Sequence, residues 1–356
     1  MRVGLLLTGL VNDKKTIDHL KQQLDYWQKC GLELEIYSTA WNNLHGYPWS
    51  TPNLRIDYRN PIQDPELVDY AISVLKPKRH CDILYSNLYN MFVDHCEQFN
   101  HNPYDKINAV AKSLQNCTFD KFGDTTEFDD WWIVYTWFTR FVYFMNQPYS
   151  LNQVINIALD QLDPPTVFLK WRWDLLINYH KDTENIIHRL EQIQQHEGYG
   201  MHFNRAWLFG EEQTNLTIES VRMHLPWPLQ DQPVCVDDTW FMFNKLTAEN
   251  LRKIMSAYLN VWSFDEPHQH RNLWNAVEQL NLHRGSYTKE PLSRILVRSG
   301  KLIDDHFHRN TDRFFAQQQQ NNQLASTLNT MITKPTDEQL ELFRYQAISS
   351  FDWSRK

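Results

Sequence analysis

The sequence predicts an α/β fold with a mainly parallel central sheet and helices on both faces. Two observations carry that expectation. Residues 2–38 read as strand, helix, strand, and so short a unit is right-handed and nearly always part of a parallel sheet. Near the midpoint, Val167–Ile177 (VFLKWRWDLLI) is a nearly continuous apolar run, as expected of a strand buried on both faces.

Residues 2–8 form the first strand, which ends at Thr8-Gly9. Asp13 can cap a helix whose apolar positions Ile17, Leu20, Leu24 and Trp27 follow helical spacing, with Gly31 past its end. Leu32–Ser38 alternates as a second strand. Over residues 50–130 the pattern weakens, with prolines at 52, 61, 65, 77 and 103. Apart from a helix near Pro65–Leu75, that stretch reads as an irregular or helical insertion. Asp130–Met145 is dense in aromatics and fits a buried helix that Pro148 breaks. Ser150 can cap the next helix, Leu151–Leu162, with Val154, Ala158 and Leu162 on one face.

Pro164-Pro165 then leads into the charged strand, and a helix follows at about Thr183–His196. Residues 199–245 look strand-rich and finish in the run Val234–Phe243. Thr247 can cap a helix reaching about Tyr258, another covers Gln269–Leu282, and Ile295–Arg298 reads as a last strand. The chain thus divides into one α/β domain over 1–300 and a polar C-terminal helical appendage over 301–356. That tail holds a Gln run at 317–320 and a helix-start signal at Pro335.

Composition narrows the function classes. With 356 residues, 42% hydrophobic and 22% charged, the chain is an ordinary globular protein, rich in Trp (14) and Phe (19). Neither a GxGxxG nor a GxxxxGK[ST] motif occurs, which removes the common dinucleotide and P-loop readings. A net charge of −8 argues against a dedicated nucleic-acid binder, though a local basic groove is compatible with it. The five cysteines (30, 81, 96, 117, 235) show no CxxC spacing, as expected of reduced thiols in the cytoplasm. The apolar run at the N-terminus is too short for a signal peptide, and no window reaches membrane length without charges.

The candidate site starts from three ionic side chains. Lys170, Arg172 and Asp174 share a parity, so a regular strand would present them on one face. Buried charges are costly unless paired or bound. The trio is therefore either an internal salt-bridge cluster or a ligand site at the carboxyl edge of the sheet. Thr8-Gly9-Leu10, at the same edge, is either a ligand loop or a simple turn. The pairs His268/His270 and His306/His308 have i,i+2 spacing but no evident third ligand, and Asp304-Asp305-His306 is a weak metal candidate. The aromatic stretch Trp131–Phe138 reads as core before it reads as a stacking platform.

The segment from Phe141 to Ile177, with Gln147, Tyr149-Ser150, a helix and then Lys170-x-Arg172-x-Asp174, resembles a group of GT-A-like glycosyltransferases. These occur in phages, giant viruses and bacterial surface-polysaccharide loci. Leu7-Thr8-Gly9 and Ile36-Tyr-Ser-Thr-Ala-Trp41 are similar to the opening loop and second strand of that group. Val236–Phe243 is similar to its second acidic strand, and Glu266–Leu280 with Leu296-Val-Arg298 to its late helix and terminal arginine strand.

The resemblance implies a Rossmann-like GT-A sheet and a nucleoside-diphosphate sugar held across the carboxyl ends of the first strands. It implies Thr8, Gly9 and Leu10 at the nucleoside, Lys170 and Arg172 at the diphosphate, and a further phosphate contact from Arg298. Asp174, the lone carboxylate where the group has Asp-x-Asp, is the implied ligand of a divalent cation, Mn²⁺ or Mg²⁺. Asp238, or its neighbour Asp237, is the implied general base if the reaction inverts. The acceptor is a hydroxyl, on a surface glycan or on phage DNA carrying 5-hydroxymethylcytosine, modified in the host cytoplasm. The rival expectations are a non-catalytic nucleotide- or carbohydrate-binding module derived from such an enzyme, and a structural virion component.

Overall fold

Strand β1 (Arg2–Thr8) has Val3 through Thr8 buried, because it lies between two parallel neighbours and under helices on both sides. The computed structural model describes residues 1–11, 14–41, 65–83, 85–98, 143–177, 179–203, 206–208, 234–236, 240–261, 269–280, 282 and 294–296. After β1 come α1 (Lys14–Lys29), β2 (Glu33–Trp41), α2 (Pro65–Leu75), β3 (Arg79–Ile83), α3 (Tyr85–Gln98) and α4 (Tyr143–Leu159). Then follow β4 (Val167–Arg172), β5 (Leu175–Ile177), α5 (Tyr179–Gln195), β6 (Met201–Phe203), β7 (Ala206–Leu208) and β8 (Val234–Val236). The last described elements are β9 (Phe241–Asn244), α6 (Lys245–Leu251), α7 (Ile254–Val261), α8 (Gln269–Gln279) and β10 (Arg294–Leu296).

The central sheet has the order β3-β2-β1-β4-β9-β6. The first four of these are mutually parallel; β9 runs antiparallel to β4, and β6 antiparallel to β9. This mainly parallel mixed sheet, with helices on both faces, is the expected α/β fold class. Alternation along the strands divides the core in two. Leu5, Leu7, Leu169 and Trp171 pack under α1, α2 and α5, whereas Leu6, Tyr37, Trp41 and Phe168 pack under α3, α4, α6 and α7. Gly4 is needed between them, since a Cβ there would stand 2.5 Å from the Phe168 ring. Among the described residues no helix is long and apolar enough to cross a membrane, and Cys30, Cys81 and Cys96 are free thiols.

The structure corrects several boundaries. Val167–Ile177 is two strands, not one: β4 stops at Arg172, and β5 joins β10 in a separate antiparallel pair. The break is built by Trp173, whose amide donates to the Thr8 carbonyl at 3.1 Å and whose indole donates to the Thr39 carbonyl at 2.9 Å. Val234–Phe243 is likewise divided between β8, paired with β7, and β9 of the main sheet.

Pro148 lies inside α4 instead of ending a helix. The main-chain bond it forfeits is offset by the burial of Met145, Tyr149, Leu151, Val154, Ile155 and Ala158. Because α4 ends at Leu159, Leu162 is fully exposed and not on its apolar face. The helix after β9 is capped by Asn244, whose side chain accepts from the Thr247 amide, and it is interrupted before Ile254. Thr247 is buried, its hydroxyl donating to the Gly200 carbonyl. Helix α5 starts at Tyr179, ahead of Thr183. Strand β3 and helix α3 occupy part of the expected insertion. Asp13, the aromatic stretch 131–138 and the tail 301–356 lie outside the described residues.

Candidate functional site

The order β2-β1-β4 makes the gap between β1 and β4 a topological switch point: the chain leaves β1 toward β2 and β3, then returns to β4 on the opposite side. Open α/β sheets bind ligands outside the carboxyl ends of their strands at such a point. Two segments far apart in sequence meet there. Thr8, the last residue of β1, is register partner to Arg172, the last of β4, and Leu6 to Lys170. Beyond Thr8 the chain turns at Gly9, with φ +98°, a conformation strained for any residue bearing a Cβ. A Cβ on Gly9 would lie 3.9 Å from the Arg172 side chain, so Arg172 extends over this turn. Leu10 is half-buried against the α4-side core.

The three ionic residues are held differently. Lys170 is 1% exposed; its ammonium donates to Gln147 Oε1 at 3.3 Å and lies 5.7 Å from the centre of the Phe241 ring. Arg172 makes a two-pronged contact with Asp174: Nε donates to Oδ1 at 2.8 Å and Nη2 to Oδ2 at 2.6 Å. Asp174 is 1% exposed, whereas the Arg172 side chain keeps 16% of its surface. Asp174 belongs to the turn after β4 and not to the strand itself, so the shared-face expectation holds within β4 for Lys170 and Arg172 alone. The trio is thus partly neutralised from within, and it adjoins the β1 loop.

Further side chains gather at this edge. The Thr8 and Thr39 hydroxyls are buried without a hydrogen-bond partner. Thr39 follows Ser38, the register partner of Leu7, so Thr39, Thr8 and Arg172 stand side by side across three strands. Gln147, Tyr149 and Ser150 come from α4, which crosses this face of the sheet. Asn146 Oδ1 accepts from the Trp41 indole at 2.9 Å and from Ser150 Oγ at 3.2 Å, tying the helix to β2. Burial pushes the Tyr149 phenol up from its ordinary value, as it does the Cys81 thiol, where Asp82 adds to the effect. The legible signals were the position of Gln147 ahead of Tyr149-Ser150 and the polar pair Ser38-Thr39 ending an apolar strand.

Asp237, Asp238 and Arg298 lie outside the described residues, as do His268 and the 304–308 cluster. Trp240 and β9 are described. The antiparallel register of Lys170 with Phe241 means that the chain enters β9 at the sheet edge where β4 ends. Both oxygens of Asp174, the implied cation ligand, accept from Arg172, and among the described residues no three His, Cys, Asp or Glu side chains could hold a metal. The described donors do not make a divalent-cation site, and no chemical step is derived through one.

No protein-family profile matches the chain, and no curated protein sequence matches it. Among solved structures, mouse xyloside xylosyltransferase 1 in its apo form superimposes with a TM-score of 0.33 and 9% identity. The superposition covers 81% of this chain and 84% of the mouse protein. A likeness that loose carries no assignment.

Proposed function

We propose that the chain is a cytoplasmic glycosyltransferase that moves a sugar from a nucleoside-diphosphate donor to a hydroxyl. The observation that supports this reading is the convergence of Thr8-Gly9-Leu10 with Lys170 and Arg172 at the β1/β4 switch point. In the reaction the bond between the anomeric carbon and the diphosphate oxygen breaks, and its electron pair leaves with the nucleoside diphosphate. The acceptor oxygen bonds to that carbon and gives its proton to a base, proposed as Asp238 with Asp237 beside it. Arg172 meets the charge that develops on the leaving diphosphate, and buried Lys170 adds a fixed positive charge beneath it. Thr8, Gly9 and Leu10 hold the nucleoside, and Arg298 adds a phosphate contact. Residues 1–300 form the transferase domain, and 301–356 a helical extension. The net charge of −8 favours a glycan acceptor over 5-hydroxymethylcytosine in DNA, which would require salt-sensitive duplex binding.

The Arg172–Asp174 pair also suits a second reading, a nucleotide- or carbohydrate-binding module without turnover, because a guanidinium already neutralised is a weaker electrostatic catalyst. A screen of UDP-, GDP- and ADP-sugars for release of the nucleoside diphosphate separates the two. The enzyme releases the diphosphate from one donor class, and Asp238→Asn abolishes that release. The module binds a donor without release and is indifferent to Asp238→Asn. No release and no thermal shift with any donor would overturn both.

A further inference from the structure

Resting on the glycosyltransferase reading above, we propose that Thr39 acts with Thr8 to recognise a vicinal diol of the donor, on the ribose of its nucleoside or on the sugar it carries. Both residues are 0% exposed, and neither hydroxyl has a hydrogen-bond partner. Buried polar groups are ordinarily paired, because one left without a partner gives up its hydration for nothing. A side chain of the same shape without the hydroxyl would fit either position at no such cost. Two uncompensated hydroxyls side by side at the ligand edge of a sheet point to a group that arrives from outside.

Strand geometry aims the two at one place. Thr8 shares parity with Leu6, and Thr39 with Tyr37 and Trp41, and all three of those side chains pack in the α4-side core. Leu7 is register partner to Ser38, so Thr8 and Thr39 come next, on adjacent parallel strands about 4.8 Å apart. Trp173 holds both strand ends in place, donating through its amide to the Thr8 carbonyl and through its indole to the Thr39 carbonyl. Those bonds engage the main chain and leave the two hydroxyls unengaged. A hydroxyl both donates and accepts, so a neighbouring pair is complementary to another such pair, as a diol presents. The adjoining turn has Gly9 at φ +98° followed by half-buried Leu10. Because both hydroxyls are covered, the donor reaches them as that turn shifts.

The test titrates the full chain by calorimetry with UDP, GDP and ADP, with their 2′-deoxy counterparts, and with the intact sugar nucleotides. The expected result is that one ribonucleotide binds about tenfold or more tightly than its deoxy form, and that Thr39→Val or Thr8→Val abolishes the difference. Equal binding of the two forms, with both variants weakened about tenfold toward the intact sugar nucleotide alone, assigns the diol to the carried sugar. In either case Thr39→Ser keeps the affinity, and Thr39→Val melts no lower than the wild type, since it removes a hydroxyl that bonds to nothing in the protein. Affinities left unchanged by Thr39→Val for nucleotide and sugar nucleotide alike overturn the inference, and a lowered Tm beside them makes the hydroxyl structural. Ribose-selective binding without release of the diphosphate sinks the transferase reading and leaves this one standing. Release indifferent to both substitutions does the reverse. The comparison of ribose and deoxy forms uses the unaltered protein, so a folding defect in a variant would not blunt it.

Discussion

At the amino end of the central sheet Arg2 binds two carboxylates, Glu35 at 2.6 Å and Asp163 at 2.5 Å, while at the carboxyl end Arg172 binds that of Asp174. The chemistry of the contacts is alike, but the surroundings are not. Asp163 is 85% exposed and Lys78, which also reaches Glu35, is 44% exposed, so solvent screens most of the amino-end cluster. At the carboxyl end Lys170 and Asp174 are 1% exposed, and an adjoining glycine turn and two partnerless hydroxyls surround the pair. The amino-end network satisfies itself and stops there. The carboxyl-end network carries buried charge at the edge where open sheets take ligands. An ion pair becomes a site candidate through its position in the topology and its burial, not through its geometry.

The comparison is broken most directly by Arg172→Ala. Donor release should fall on the order of a hundredfold, since a charge-stabilising donor at the leaving group is removed. Stability should fall by about 3–5 kcal/mol, because Asp174 is left buried and uncompensated. Lys170→Met sharpens the result: it keeps the volume, removes a buried charge, and should slow release by about tenfold. Release that survives both substitutions would make the carboxyl-end pair as structural as the amino-end one.

A smaller and opposite signature is expected from Glu35→Gln. Burial pushes the Glu35 carboxyl up, but hydrogen bonds from Arg2, Tyr37 and Lys78 outweigh it and hold the group at about 2. A carboxyl lowered in the folded state contributes stability above its ordinary value and loses it as pH falls through the folded value. The wild type should therefore exceed Glu35→Gln by about 1–2 kcal/mol above pH 4.5, after discounting for solvent, with the gap closing toward pH 2. Melting curves of both proteins across that window check it, and donor turnover should not change.

Much of this was legible from residues alone. The apolar face of α1 follows from Ile17, Leu20, Leu24 and Trp27, all buried, and the nearness of Thr8 to Arg172 follows from two buried strands ending at one edge. What escaped depended on partners far along the chain. The break after Arg172 is invisible in VFLKWRWDLLI because Trp173 fits a strand; the bonds that turn it go to Thr8 and Thr39, over 130 residues away. Pro148 is tolerated because tertiary burial of α4 outweighs one missing main-chain bond, which local propensity does not register. Asn244 and Thr247 are both good cap residues, and the structure uses Asn244 because β9 runs one residue further than its apolar pattern. Strand β3 hides in RHCDI, where only Ile83 is fully buried, as befits the edge of a sheet.

The smallest effect belongs to Asp163→Asn. Asp163 also accepts from Arg2 through its main-chain carbonyl, a contact the substitution keeps, and its side chain lies almost wholly in water. Replacing the carboxylate should move Tm by no more than about 2 °C, with the difference vanishing in high salt. Arg2 would remain anchored by Glu35, so the register of β1 with β4 should persist and donor turnover with it. The measurement has value because Arg2 and Thr8 are opposite ends of one strand. A change in donor KM from this exposed position would mean that β1 transmits strain along its length, and the two ends of the sheet could no longer be treated as separate devices.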